Sequence, residues 1–232
     1  MNPLVRILIS AVLCIGLVGS DSSAEAASKK MTKAQIVACA KKFNIDVNGD
    51  KPFSPASNPA EGECSPRKIN GFPVPDPKCT PGAVNPTLTL KVLLASGFKT
   101  GCVRDQATSA KEKASTYDAY GANHPENNTG QNQVCELDHL VSLELGGADT
   151  LDNIWPQCGP NRAVLKNRYF KRKDTVENYL AWLVKNDRMD LDEAQHGIAK
   201  DWTQYLEKAE QACPGGRCDD DNLPPPRHEG GR

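Results

Sequence analysis

The sequence predicts an α+β domain over about residues 30–212, and three observations carry that prediction. One segment reads as two short strands around a glycine pair, running on into a basic helix. The last third repeats apolar residues at helical spacing, which makes the C-terminal half helical. The first third is rich in proline and punctuated by cysteine, so it reads as irregular chain tied down by disulfides. A chain of 232 residues is long enough for one domain with a real core.

Residues 1–26 fall outside that domain. Arg6 supplies a basic start, Ile7 to Val18 is almost unbroken apolar sequence, and Ala24-Glu25-Ala26 forms an A-x-A site. These are the three parts of a secretory signal peptide. The apolar run is short for a membrane span. The expectation is an exported protein, periplasmic or secreted, without stable membrane association after cleavage.

Cleavage would remove Cys14 and leave Cys39, Cys64, Cys79, Cys102, Cys135, Cys158, Cys213 and Cys218. An even count in an exported chain implies disulfides. Eight cysteines allow on the order of a hundred pairings, and the sequence does not choose among them. Cys213 and Cys218, spanning Pro-Gly-Gly-Arg, are the simplest local pair. The signal segment also takes Arg6, Asp21 and Glu25 from the 28 basic and 29 acidic residues, leaving 27 of each sign. Net charge therefore gives no attraction to nucleic acid, and any such attraction has to come from a local patch.

Along the chain, Thr32-Lys-Ala-Gln35 reads as a capping box ahead of Ile36, Val37, Ala40 and Phe43 at helical spacing. Residues 44–86 hold nine of the seventeen prolines and should be irregular. Asp46-Val-Asn48-Gly49-Asp50 suggests a calcium loop, but Lys51 and Ser57 stand where that loop needs Gly and Glu, so an Asn-Gly turn is the better reading. Asn85-Pro86 is expected to start a helix with Leu90, Leu93 and Leu94 as its apolar face, ended by Gly97. Ser109-Ala-Lys-Glu112 is a second capping box. Arg162 to about Asn186 and a helix capped by Asp190 form the C-terminal half, and residues 214–232 read as a disordered tail.

The segment that carries chemistry runs from Cys135 to Gln157 and contains Asp138-His139, Gly146-Gly147 and Asn153-Ile-Trp-Pro. Residues 137–141 alternate as a strand, Gly146-Gly147 permits a loop, and Asn153-Ile-Trp can form a second strand. Gly159-Pro160 then starts a helix with Asn161 in its first turn. Strand, loop, strand and helix make the frame of a ββα metal finger, here about residues 134–176.

In these residues the chain resembles the HNH endonucleases of the wider His-Me finger group, and within them a set of small exported bacterial proteins. Asp138-His139-Leu-Val-Ser-Leu-Glu-Leu-Gly-Gly147, Asn153-Ile-Trp-Pro-Gln157 and Lys173-Asp174-Thr-Val-Glu177 carry the likeness. Where this chain has Ser142, the family pattern has Pro. Cys79-Thr-Pro-Gly-Ala83, Arg104, Ala194-Gln195 and Asp201-Trp202 extend it to roughly residues 75–207.

The resemblance implies a metal-dependent endonuclease acting on DNA, and on RNA as a second substrate, with low sequence specificity. Phosphodiester hydrolysis needs an activated water, a cation for the phosphorane and help for the leaving 3′-oxygen. His139 would be the general base, Asp138 a metal ligand, and Asn153 the residue that orients the imidazole. The family's further ligand is a His or Asn early in the helix, and Asn161 fits that place. Oxygen ligands favour Mg²⁺ or Mn²⁺ over Zn²⁺. Arg162, Lys166 and Arg168, with Lys171, Arg172 and Lys173 behind them, form a basic run without an acidic residue before Asp174. Together with Arg104 they would bind phosphate. Asp174 and Glu177 sit one helical turn apart and would either join the site or pair with these cations.

Two rival readings keep the same segment. A degenerate finger would bind nucleic acid or a protein partner without cleaving. A structural zinc would use Cys135, His139 and Cys158, although Cys135 and Cys158 are better read as a bridge between the strands. His124 and His196 have no partner pattern and read as surface or packing residues. Oligomeric state is not set by the sequence.

Overall fold

The computed structural model describes residues 31–47, 59–104 and 110–225, with only the backbone course of 110–114. The expected signal peptide, the Asn48-Gly49 turn and the Ser109 capping box lie outside the described residues. From Met31 onward the chain is one unit of mutual contact. The architecture is mixed α+β, with two small two-stranded sheets and a helical C-terminal half.

The central element is an antiparallel pair, β3 (Cys135–His139) and β4 (Ile154–Cys158), in register from Cys135↔Cys158 to His139↔Ile154. A loop of residues 140–153 joins them, and Asn153 holds it from within. The Asn153 Oδ1 accepts from the Val141 amide at 2.9 Å, and its Nδ2 donates to the carbonyls of Val141 and Ala148, both at 2.9 Å. Asn153 has no exposure, so these bonds satisfy a buried amide and fix the loop together. The glycine pair has a physical reason here. Gly146 sits at φ +79°, and a Cβ on Gly147 would stand 1.9 Å from the Val141 carbonyl oxygen.

Behind the strands lies α4 (Tyr169–Lys185), packed on α5 (Leu191–Asp201) and α6 (Leu206–Ala212). Val176, Leu180, Leu183 and Val184 lie at helical spacing and bury one face against Ala194, Ile198, Trp202 and Ala209, and Phe170 is buried in the first turn of the same helix. This is the helical half the spacing predicts, with three differences. The helix begins at Tyr169, not at Arg162, because no core-facing apolar residue precedes Phe170; Val164 is exposed. The last helix is interrupted by a 3₁₀ turn at Trp202–Tyr205, where the Asp201 carboxylate accepts from the Thr203 amide at 2.9 Å. Residues 214–225 are not a free tail: Trp182 Nε1 donates to Asp220 at 2.9 Å and Asn178 Nδ2 to the Gly216 carbonyl at 3.0 Å.

The N-terminal third is less irregular than its prolines suggest. Preceding it, α1 (Lys33–Phe43) carries the predicted capping box, with Thr32 and Gln35 bonded both ways. A hairpin of β1 (Arg67–Ile69) and β2 (Phe72–Val74) turns at Asn70-Gly71, both at positive φ. Such a dipeptide is the two-residue hairpin signal, masked here by flanking prolines. The hairpin seats Phe72 edge-on to Trp202 at 5.3 Å. The helix expected from Asn85 shrinks to α2 (Leu90–Leu93); at Asn85 the side-chain Oδ1 accepts from the Thr87 amide and hydroxyl, closing a local turn that no helix continues. Leu93 is buried, while Leu90 and Leu94 are exposed. Between β2 and β3, α3 (Ala110–Ala119) packs on β4.

Four disulfides tie these parts: Cys39–Cys102, Cys64–Cys79, Cys135–Cys158 and Cys213–Cys218. Cys135 and Cys158 are direct cross-strand partners, 4.0 Å apart at Cα. Both sulfurs are thereby used, which removes the zinc reading.

Gly147→Ala is expected to lower stability by at least about 1–3 kcal/mol, because a Cβ there meets backbone that cannot move aside. Thermal unfolding of the oxidised protein measures it, and a Tm unchanged from wild type would show that the loop can shift.

Candidate active site

The β3 strand ends at His139, and there the alternation of faces ends too. Asp138 and His139 consequently both line one cavity of about 340 Å³, although neighbours within a strand point apart. Arg104, His139, Thr100 and Ser142 share that cavity with the carboxylates of Glu136, Asp138, Glu144, Asp174 and Glu177.

His139 is held by a residue that spacing alone does not reveal. Its Nε2 lies 2.8 Å from Asp149 Oδ1, and the Asp149 side chain is fully buried. An ionised carboxylate only accepts, so Nε2 carries the proton and Nδ1 is the basic nitrogen. Burial pushes the imidazole below its ordinary pKa of 6.5, against the opposing pull of Asp149. The ring is thus neutral at neutral pH. Asp149 also lies 3.6 Å from Arg104 Nη1, which brings a cation to the same corner. Asn153, expected to orient the imidazole, acts one step back: its bonds go to the backbone of Val141 and Ala148, and they set where the strand exits.

Asp138 faces α4. Its Oδ2 is 2.8 Å from Lys173 Nζ, and Lys173 also reaches Glu177 Oε1 at 2.5 Å and the His139 carbonyl oxygen at 2.6 Å. Lys173 has no exposure. Burial alone would push its ammonium down, but Asp138 and Glu177 lift it above the usual lysine value, so it stays charged. Burial raises the Glu177 carboxyl to about 8, despite the neighbouring ammonium. Glu136, two residues before Asp138 on the strand, is raised to about 7 by burial first and then by Asp138 and Asp174.

The other predicted residues are elsewhere. Asn161, Arg162, Lys166 and Arg168 follow Cys158, at the hairpin end opposite His139, and none lines the cavity. Four residues of strand put that end about 13 Å away. Asn161, Arg162 and Lys166 are exposed, whereas Arg168 is buried and donates from Nη1 to the Pro160 carbonyl. Further along the basic run, Lys171 pairs with Asp174 at 2.7 Å, and Arg172 pairs with Glu210 at 2.7 Å while lying over the Phe72 ring. With Lys173, three of the six cations in the run are thus matched by carboxylates from the fold. Of the predicted phosphate-binding residues, only Arg104 reaches the cavity. His196 is exposed beside Asp192, and His124 stacks edge-on to Tyr117.

The residues assembled do not fit the divalent ion that the family resemblance implies. One expected ligand, Asp138, already has an ammonium on its carboxylate, and the other, Asn161, stands at the far end of the hairpin. Among the described residues no group of three or more His, Cys, Asp or Glu is placed to hold a metal.

Removing one partner of a buried ion pair leaves the others uncompensated. Lys173→Met should therefore cost about 3–5 kcal/mol, read in a denaturant titration at pH 7. A loss below about 1 kcal/mol, the range of exposed pairs, would mean that the cluster is solvated.

No family model matches this chain, and neither does any curated protein or solved structure.

Proposed function

We propose that the chain is an exported nuclease that hydrolyses phosphodiester bonds of DNA, and of RNA by the same chemistry, with little sequence specificity. One observation carries this reading: His139, held through Nε2 by buried Asp149, lines a cavity that also holds Arg104. The order of strand, loop, strand and helix around it supports reading it as an HNH finger. Export is supported by the signal-type N-terminus and by the four disulfides, which persist in oxidising compartments. No described helix is long and apolar enough to cross a membrane.

In the proposed reaction His139 Nδ1 takes a proton from water, and Asp149 stabilises the imidazolium that results. Arg104 opposes the charge that gathers on the phosphorane, and the hydroxyls of Thr100 and Ser142 supply donors to its oxygens. Thr100 and Ser142 both line the cavity. Glu136, with its pKa near 7, holds a proton over much of the neutral range and can pass it to the leaving 3′-oxygen. The described residues include no element that would read base edges, hence the low specificity. The second reading, a finger that binds without cleaving, is favoured by one observation: Asp138, a ligand in the family, is paired with Lys173.

Plasmid nicking by the oxidised mature protein separates the two. His139→Ala should reduce nicking by about 10²-fold or more while leaving Tm near wild type, as expected for loss of a general base. An active wild type with an unaffected mutant would remove His139 from the mechanism.

The pH profile of kcat/KM gives a second check. The base works only when neutral, so the acid limb should fall below pH 6.5, where burial has moved His139. The acid works only when protonated, so activity should decline as pH rises through about 7, and Glu136→Gln should remove that alkaline limb. An acid limb above 6.5 would contradict the assignment.

A further inference from the structure

The Lys173 ammonium on α4 has three oxygens around it: it donates to Glu177 Oε1 and to the His139 carbonyl, and it lies 2.8 Å from Asp138 Oδ2 as an ion pair. Two carboxylates and a backbone carbonyl are also the donors that a small divalent cation takes. Metal–oxygen distances of about 2.0–2.6 Å would place such an ion within the volume the ammonium fills. Two cations cannot share that volume, and the side chain is sealed from solvent.

We propose that the Lys173 ammonium is the resident cation of this site, standing where a divalent ion would sit and freeing cleavage from any ion at Asp138. The catalytic half of this proposal rests on the nuclease reading; the occupancy half does not. Sealed from solvent and enclosed by these three oxygens, Lys173 cannot also touch a phosphate, so it is a positioning residue. It pins the His139 carbonyl and the Asp138 side chain against α4, and thereby sets the strand end that presents the imidazole. Charge on the transition state falls to Arg104 instead.

The test titrates Mn²⁺ into the oxidised, folded protein, following the spin-resonance signal of free ion, and measures plasmid nicking in EDTA and in Mg²⁺. Wild type should leave Mn²⁺ in solution, and nicking in EDTA should stay within about threefold of that in Mg²⁺. One equivalent bound by wild type and lost in Asp138→Asn would overturn the proposal. So would nicking abolished by EDTA, restored by Mg²⁺ and dependent on His139, an outcome in which the nuclease reading survives. No nicking under any condition would overturn the nuclease reading and the catalytic half with it, while the Mn²⁺ titration still decides occupancy. Lys173→Ala separates this role from a merely structural one: it should gain Mn²⁺ uptake, and a folded variant without that gain would overturn the stand-in role. Should that variant not fold, the wild-type titration decides alone.

Discussion

The contact between Lys173 on α4 and the end of β3 is the constraint on which the rest of the site depends. An ammonium without exposure is tolerated only if its desolvation is offset, and here three oxygens do so at 2.5–2.8 Å. A buried ion pair of this kind adds little net stability compared with well-packed apolar residues of the same volume. What it adds is register. A hydrophobic contact between strand and helix would tolerate sliding, whereas an ammonium that must meet a side-chain carboxylate and one particular carbonyl fixes both rotation and translation. The cross-strand bridge at Cys135–Cys158 fixes the other end of the same hairpin. His139 is therefore held between a covalent tie at one end and an electrostatic one at the other.

Much of this was legible in the sequence because local periodicity and packing agree. The apolar face of α4, the cap of α1 and the strand pair around Asp138 follow from spacing alone. Lys173 was legible in principle: it falls three residues after Phe170 and three before Val176, on the buried stripe of the helix. A lysine at that position must have a buried partner, and that signal separates it from Lys166 and Arg162, which precede the stripe. The start of α4 was misplaced because Gly159-Pro160 is a good local opening for a helix, yet no fully buried apolar residue lies between it and Phe170. Asn161 follows from that error, since its proposed role needed a first helical turn near the end of β3.

Other features depend on contacts distant in sequence, which periodicity does not report. Asp149 looks like one more polar loop residue until the Asn153 side chain folds residues 140–153 back on themselves. The matching of Arg172 with Glu210 spans 38 residues, and without it the basic run from Arg162 to Lys173 resembles a phosphate-binding face. The segment after Cys213 looked free because its composition is polar, but α4 offers it Trp182 and Asn178 as fixed donors. Composition describes how much apolar surface a segment can bury; it does not register hydrogen bonds supplied by a neighbour.

Burial has opposite consequences for His139 and Glu136, and both consequences serve the proposed chemistry. In water, at a pH between the ordinary values of a glutamate and a histidine, the carboxyl is charged and the imidazole is protonated. That is the wrong way round for a base that must accept and an acid that must give. Desolvation disfavours the charged form of each, so it lowers His139 and raises Glu136. The neutral base and the neutral acid then coexist over a range in which solvent would supply neither. The carboxylates of Asp138 and Asp174 push Glu136 further in the same direction, and Lys173 keeps the adjoining negative charge from growing large enough to expel a phosphate. A cavity crowded with acidic side chains is on this account compatible with a polyanionic substrate, because much of its formal charge is matched by buried lysine or held as protonated acid.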